Sequence, residues 1–249
     1  MKIKDIVEKI DWYYPWLTAC DFDNVGLLVG DAEADVKKAV VALDCTHEVL
    51  DFAISEGATA VVTHHPVIFD GVKKVTAESV VHKAIKHGIS IISAHTNYDT
   101  GTNGVNEILC QKLGISINKR LMIDGLLIPG GTFAKNLSAK ELALKCRDSL
   151  FATHIAYVDG GKPINKVVVC SGGGGSMLRE VMASGADAYI TGEAKHSDFV
   201  AAKNAGFTLM VCGHFETEDI AVAPLAALLK REVPGVEFIE CHKSPVNHI

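Results

Sequence analysis

The feature that most constrains the fold is an alternation of apolar runs and amphipathic segments that occurs twice in the 249 residues. The first set runs as strand, helix, strand, helix and strand between Ala39 and Thr96, and a second set in the same order lies between Lys166 and His214. In both sets the β-branched runs predict buried strands, and the helical segments end at glycines, as helix C-termini often do. Such alternation predicts a largely parallel sheet with helices on both faces.

The two sets also match in sequence, which indicates an internal duplication. The run GATAVVT begins at Gly57 and the run GADAYIT begins at Gly185, an offset of 128 positions. Matched order together with matched offset favours duplication over chance similarity. We therefore predict an α/β protein with two similar βαβαβ lobes, residues 1–124 and 125–249, which face one another.

Composition excludes several classes of protein. Lysine and arginine are scattered and the formal net charge is −6, so the sequence predicts no nucleic-acid surface. The seven cysteines form no CxxC pair, which favours reduced thiols in a cytoplasmic protein. No apolar run is long enough to cross a bilayer, and the segment MKIKDIVEKI has the spacing of an amphipathic helix, not of a signal peptide.

Polar side chains collect after the predicted strands, where open α/β sheets bind their ligands. The run AVVTHHP places His64 and His65 directly after one buried strand. Further polar residues follow the other strands: Asp44, His95, Asn97 and Asp99 in the first half, and Ser171, Glu193, His196, His214, Glu216, Glu218 and Asp219 in the second. Histidine and carboxylate ligands suit a catalytic Zn²⁺, Mn²⁺ or Fe²⁺. The alternative for the adjacent histidines is a strand cap that bonds to nearby backbone.

These stretches resemble a known family, in order and across nearly the whole chain. The runs DFDNVGLLVGD, THHP, AHTNYDT, GADAYITGEAKHSD and GHFETED are similar to segments of the NIF-three-like family, also called GTP cyclohydrolase type 2 homologues. The resemblance implies two related α/β lobes, a dinuclear metal centre in the cleft between them, and a homohexameric ring. Phe22 stands where a tryptophan is usual in that family, and Phe215 where a tyrosine is frequent.

The resemblance also implies a set of metal ligands. They fall on His64, His65, Asp99, His214 and Glu218, and all five residue types agree. Adjacent side chains at the end of a strand can reach two ions, which explains why two histidines stand side by side. If GHFETED begins a helix, His214 and Glu218 share one of its faces. The implied cofactor is two divalent ions per chain, of zinc, iron, manganese, cobalt or nickel.

Paired divalent ions activate water for attack on a carbonyl, phosphoryl or purine carbon, so we predict a hydrolase. His95 and Glu193 are the candidates for acid or base, or for holding a ligand in place. A buried structural histidine and an exposed loop glutamate are the alternatives for these two residues. The family name suggests ring opening of GTP, and the competing class of function is a metal carrier, metal sensor or protein adaptor without enzymatic activity.

The run CSGGGGSM is a candidate phosphate site. Gly172, Gly173 and Gly174 lie between a predicted strand and a predicted helix, where backbone N–H groups can face an anion. The run has neither the GK[ST] of a P-loop nor a proper GxGxxG pattern, and a tight turn explains it equally well. If it binds phosphate, the expected ligand is a small phosphorylated or nucleotide-like molecule.

The run DWYYPW places both tryptophans of the chain near its N-terminus. We interpret these aromatic side chains as a hydrophobic plug under the first helix. An interface between copies of the chain is the alternative for the same residues.

Overall fold

The computed structural model describes residues 1–247, which form two compact units. The first unit combines Met1–Gly101 with Ala221–Asn247. The second unit is the continuous segment Thr102–Ile220. The chain therefore leaves the first unit once and returns to it near its C-terminus.

The helices and strands follow one another closely along the described residues. The helices are α1 (Ile3–Tyr13), α2 (His47–Ser55), α3 (Val80–Lys86), α4 (Thr96–Thr100), α5 (Val105–Lys112), α6 (Ala139–Leu150), α7 (Leu178–Ala183), α8 (His196–Ala205), α9 (His214–Glu218) and α10 (Val222–Glu232). The strands are β1 (Gly26–Val29), β2 (Lys38–Ala42), β3 (Ala60–Thr63), β4 (Ser90–Ser93), β5 (Ser116–Ile123), β6 (Leu126–Leu137), β7 (Ala156–Val158), β8 (Ile164–Cys170), β9 (Ala188–Thr191), β10 (Thr208–Val211) and β11 (Glu237–Cys241).

The compact units differ from the continuous halves 1–124 and 125–249 of the sequence prediction. The boundary at residue 124 falls in the turn between β5 and β6, two paired strands of the second unit. The physical reason for the return of the chain is β11, which pairs in parallel with β2 in the sheet of the first unit. Residues 221–247 therefore complete the first unit.

Each unit is built on one sheet with a parallel centre. The sheet of the first unit has the order β1-β4-β3-β2-β11, and that of the second has the order β5-β6-β8-β9-β10-β7. In both sheets the strands of the repeated segments are parallel, as predicted. Antiparallel strands flank the parallel centres. They are β1 in the first unit, and β5 and β6 on one side and β7 on the other side in the second.

The strand pairing confirms the duplication. Ala39 faces Ala60 in the first sheet, and Val167 faces Ala188 in the second, at the offset of 128 seen in the sequence. Each repeat also ends in a strand that carries an antiparallel neighbour, β1 on β4 and β7 on β10. The two units thus share register as well as strand order.

The repeated strands are short and mostly buried. Every residue of β3, β4 and β9 is buried, which is the pattern of a strand covered on both faces and the reason for its β-branched and alanine content. Thr46 accepts a hydrogen bond from the Val49 N–H and begins α2, while Gly57 has a φ of +68° after its end. Because these strands are parallel, the polar residues that follow them lie at the same end of each sheet.

The N-terminal segment agrees only in part with its interpretation as a plug. Ile3, Ile6 and Ile10 are fully buried, so α1 is amphipathic as predicted. Tyr14 is also buried and its ring lies 4.5 Å from that of Tyr98. Trp12, however, is 79 % exposed, so most of this tryptophan lies outside any plug. No helix within residues 1–247 is long and apolar enough to cross a membrane.

Candidate metal centre

Three histidines of the first unit meet where β3 and β4 end. His64 and His65 follow β3 directly, and His95 precedes α4. Each of the three offers a ligand nitrogen within 4.8 Å of those of the other two. We call His64, His65 and His95 the histidine cluster. Imidazoles this close together are the donor set that binds Zn²⁺, Fe²⁺ and similar ions.

In each ring of the histidine cluster, the Nδ1 atom has a partner of its own. The His64 Nδ1 lies 2.9 Å from the carbonyl oxygen of Ala94. The His65 Nδ1 lies 2.7 Å from Asp44 Oδ1, and the His95 Nδ1 lies 2.9 Å from Asp23 Oδ1. A carbonyl or carboxylate oxygen accepts the Nδ1 proton and leaves Nε2 as the ligand atom. This is how proteins orient histidines that bind metals.

Asp99, on α4, faces the histidine cluster from the same unit. Its Oδ1 lies 3.5 Å from the Nε2 of His64, and both residues are buried. With the Nδ1 proton of His64 donated to Ala94, the Nε2 lone pair faces a carboxylate oxygen. That arrangement is repulsive unless a proton or a cation lies between the two atoms. The buried pair therefore fits a cation.

Asp23 is the residue of this site that sequence reasoning did not single out. Its side chain is fully buried, and it accepts hydrogen bonds from the His95 ring and from the backbone N–H and hydroxyl of Thr96. Burial alone raises the pKa of this carboxyl, but the bonds from His95 and Thr96 outweigh it and lower the pKa to about 2. Asp23 is thus a carboxylate at neutral pH. The DN pair within the family-like run DFDNVGLLVGD was the available signal.

The second unit contributes a histidine and a glutamate on α9. His214 and Glu218 are four residues apart on this helix, as predicted, and the His214 Nε2 lies 2.9 Å from Glu218 Oε2. Glu218 is buried. The His214 Nδ1 lies 3.3 Å from Glu193 Oε2, so Glu193 is placed to orient the ring. We call His214 and Glu218 the His–Glu pair.

The glycine-rich run packs against the His–Glu pair. Gly172 has a φ of +56°, and a Cβ at this position would lie 1.9 Å from Glu218 Oε1 and 3.1 Å from His214 Nε2. A Cβ on Gly174 would lie 2.5 Å from the hydroxyl of Tyr189. Only glycine permits both close approaches. Packing therefore accounts for Gly172 and Gly174, whether or not this run binds phosphate.

Gly173 differs from its neighbours because no atom lies within 4 Å of a Cβ built on it. It lines a cavity of about 750 Å³ together with Glu193 and Lys195. The cavity lies within the second unit and is large enough for a small ligand. His196 begins α8 and is exposed.

The duplication relates the two groups of ligands. At the offset of 128, Glu193 occupies the position of His65, and Gly172 occupies that of Asp44. In the first unit Asp44 is hydrogen-bonded to His65, whereas in the second unit Gly172 makes room for Glu218. The same two positions of the repeat therefore lie at candidate metal ligands in both units, but they carry different residues in each.

Comparison with known proteins gives consistent matches over the whole length. The family model Duf34/NIF3 (NGG1p interacting factor 3) matches residues 1–247. A GTP cyclohydrolase 1 type 2 homolog of Clostridium acetobutylicum is 30 % identical over 258 residues, covering 99 % of this chain and 93 % of the relative. A relative of the same description from Clostridium perfringens is 31 % identical over 252 residues, covering 96 % of this chain and 95 % of the relative.

Solved structures match in fold as well. The hypothetical protein SA1388 of Staphylococcus aureus superposes with a TM-score of 0.90 at 26 % identity, over 100 % of this chain and 99 % of that one. Reduced HcgD from Methanocaldococcus jannaschii superposes with a TM-score of 0.83 at 28 % identity, over 96 % of this chain and 97 % of that one. Both likenesses extend over nearly the entire chain.

Proposed function

Because this chain belongs to the Duf34/NIF3 family, we propose that it is a metal-dependent hydrolase in which the histidine cluster, Asp99 and the His–Glu pair serve one dinuclear centre. The single observation that carries the proposal is the arrangement of the ring nitrogens. Every Nδ1 of the histidine cluster is held by an oxygen, which leaves the Nε2 atoms of His64 and His65 as ligand atoms and the Nε2 of His95 for proton transfer.

The donor set fits two divalent transition-metal ions. It combines neutral imidazoles with the buried carboxylates of Asp99 and Glu218, which suits zinc, iron, manganese, cobalt or nickel. His64, His65, Asp99, His214 and Glu218 would hold the metals. Two carboxylates offset much of the charge of two divalent ions, and the metals in turn relieve the cost of burying these groups.

When bound, paired divalent ions lower the pKa of water and stabilise the negative charge that develops on an attacked substrate. The protein's own residues orient the ligands and manage protons around them. Asp44 and Asp23 hold the rings of His65 and His95, and Glu193 faces the ring of His214. His95 and Glu193 are the side chains that we assign to proton transfer or to holding a ligand in place.

We propose a small phosphorylated or nucleotide-like molecule as the substrate. The relatives named GTP cyclohydrolase 1 type 2 homolog suggest a purine nucleotide, and water attack on its ring is the corresponding reaction. The cavity beside Gly173 is lined by Lys195, whose charge suits a phosphate group. Gly172 and Gly174 complete the same glycine-rich run. The N–H of Gly172 donates to the hydroxyl of Thr217, so we assign phosphate binding to the backbone N–H groups of Gly173 and Gly174.

The test is elemental analysis of the purified protein combined with a screen of GTP and other nucleotides for turnover, before and after chelation. The proposal predicts bound transition metal and a hydrolytic activity that chelation abolishes and added metal restores. Bound metal without turnover of any nucleotide would favour a metal carrier or an adaptor instead. Turnover that survives complete removal of metal would contradict the proposed chemistry.

We further propose that the protein works as a cytoplasmic homo-oligomer, as a hexameric ring. The exposure of Trp12 and Leu17 supports a subunit contact, since large apolar side chains in water are costly unless a partner covers them. The seven cysteines are free thiols, in keeping with a reducing compartment.

A further inference from the structure

Two exposed aromatic rings lie beside the histidine cluster. Phe22 is 60 % exposed and Phe69 is 48 % exposed, and their ring centroids are 6.3 Å apart. The ring of Phe69 also meets that of His95 edge to face, with a centroid distance of 6.1 Å and an angle of 81°. We call Phe22 and Phe69 the phenylalanine pair. Any molecule that stacks on the pair lies next to the histidine cluster.

The phenylalanine pair is held in place by the segments that hold the site. Asp23, the neighbour of Phe22, accepts hydrogen bonds from His95 and Thr96. The Asn24 side chain donates a hydrogen bond of 2.6 Å to the carbonyl of Ile68, the neighbour of Phe69. Both rings are therefore tied to the histidine cluster by adjacent polar contacts, while about half of each residue stays exposed.

The loop that carries Phe69 is long and carries charges of both signs, because Asp70 and Glu78 are exposed on it as well as two lysines. Residues 64–79 connect β3 to α3 without a helix or strand of their own, and long irregular connections of this kind are usually functional. Lys73 and Lys74 are exposed on this loop, in a protein whose net charge is −6. The acidic residues balance these lysines, so the feature of this loop that matches a ligand is its exposed aromatic ring, which suits a molecule with a flat ring.

We propose that the phenylalanine pair is the ring-binding surface of the metal centre and takes the planar heteroaromatic ring of a phosphorylated substrate. The inference rests on the proposed function and specifies its substrate class. Exposed phenylalanines contribute most when a flat π-system covers them, because stacking adds to the apolar area removed from water.

The test compares two probes that differ by the ring alone, guanosine 5′-monophosphate and ribose 5-phosphate, in calorimetric titrations. Wild-type protein should bind the nucleotide more tightly than the sugar phosphate. Phe22→Ala and Phe69→Ala should each weaken nucleotide binding by about five- to tenfold and leave sugar phosphate binding unchanged. Phe22→Trp should retain nucleotide binding, because an indole stacks at least as well as a phenyl ring.

Phe151→Ala is the matched control, since Phe151 is 90 % exposed and lies in the second unit. Metal content and molecular mass are measured for every variant. Equal affinity of the wild type for the two probes, or unchanged nucleotide binding in both alanine variants, would overturn the inference. Loss of metal or a fall in mass in Phe22→Ala would also overturn it, by showing a supporting or a subunit-contact role. A wild type that binds no metal would contradict the proposed function. Its affinities for the two probes could still be compared, so failure of the proposed function and failure of this inference are distinguishable.

Discussion

At the scale of single residues, the site depends on oxygen atoms that hold imidazole rings. The His65 ring is a clear case, because its Nδ1 lies 2.7 Å from Asp44 and its Nε2 belongs to the histidine cluster. Asp44 was a candidate in the sequence because it follows a strand, but residue spacing did not identify His65 as its hydrogen-bond partner. Hydrogen bonds between residues far apart in sequence depend on how the strands pair. A single sequence contains little information about that pairing.

Removing the Asp44 carboxylate tests this support. We expect Asp44→Ala to reduce metal affinity roughly 10- to 100-fold, because the ring of His65 loses the acceptor that fixes its orientation and proton. Competition with a chelator of known affinity measures the change. Asp51→Ala is the control, since Asp51 is exposed and pairs with Lys83 at the surface. Equal affinities in the two variants would show that Asp44 does not act on a metal ligand.

Gly172 gives a second test at this scale. Gly172→Ala should lower metal content and destabilise the fold by at least about 1 kcal/mol, because φ is positive and the new methyl group would meet Glu218. Metal analysis and thermal unfolding measure the two effects. Gly173→Ala is the control, since nothing lies within 4 Å of its Cβ and its φ is −80°. Similar behaviour of both variants would remove the packing argument.

At the scale of helices and strands, the sequence predicted those elements that are determined by a local pattern of residues. The strands of the two repeats are apolar runs rich in valine, isoleucine and alanine, and α9 begins at His214 as expected. The β5–β6 hairpin does not follow from pattern, because β6 contains Pro129, Gly130 and Gly131, which are poor strand residues. Its pairing with β5 and β8 outweighs these local preferences.

The segment around Asp23 allows a prediction for the start of α4. Asp23→Ala should destabilise the metal-free protein by on the order of 2–3 kcal/mol at neutral pH, because buried donors of His95 and Thr96 lose their acceptor. The pKa of Asp23 is lowered from 3.8 to about 2 in the folded state. The advantage of the wild type is therefore present above pH 4 and is lost as the pH falls toward 2.

Urea unfolding at several pH values, with chelator present, measures this difference. Asp21→Ala is the control, because Asp21 is exposed and lies two residues away. A difference between wild type and Asp23→Ala that stayed constant down to pH 2 would show that ionisation of Asp23 is not the source of its contribution.

At the scale of the whole molecule, the duplication was readable from sequence and the division into units was not. Equal offsets predicted equal registers, and the pairs Ala39–Ala60 and Val167–Ala188 confirm this. The return of the chain to the first unit depends on β11, which pairs with β2 although nearly the whole chain separates the two strands. A contact so distant in sequence leaves no periodic pattern.

The proposed hexamer belongs to this scale. Light scattering should give a particle of six chains, each of 26.6 kDa. Leu17→Glu should reduce that mass, because a charged side chain replaces one that is 99 % exposed in the single chain and covered in the ring. Circular dichroism checks that the variant is folded. A monomeric wild type, or an unchanged mass in the variant, would contradict the assembly or the assigned contact.

The central claim is our proposal that this chain binds two metal ions through His64, His65, Asp99, His214 and Glu218. The most direct measurement is the metal content per chain of the wild type, His65→Ala and Glu218→Ala, all purified with divalent metal present, with the exposed His87→Ala as control. We predict about two ions in the wild type and in the control, and a loss of metal in each of the other variants while both stay folded. A wild type without bound metal, or two ions retained in both His65→Ala and Glu218→Ala, would contradict the claim.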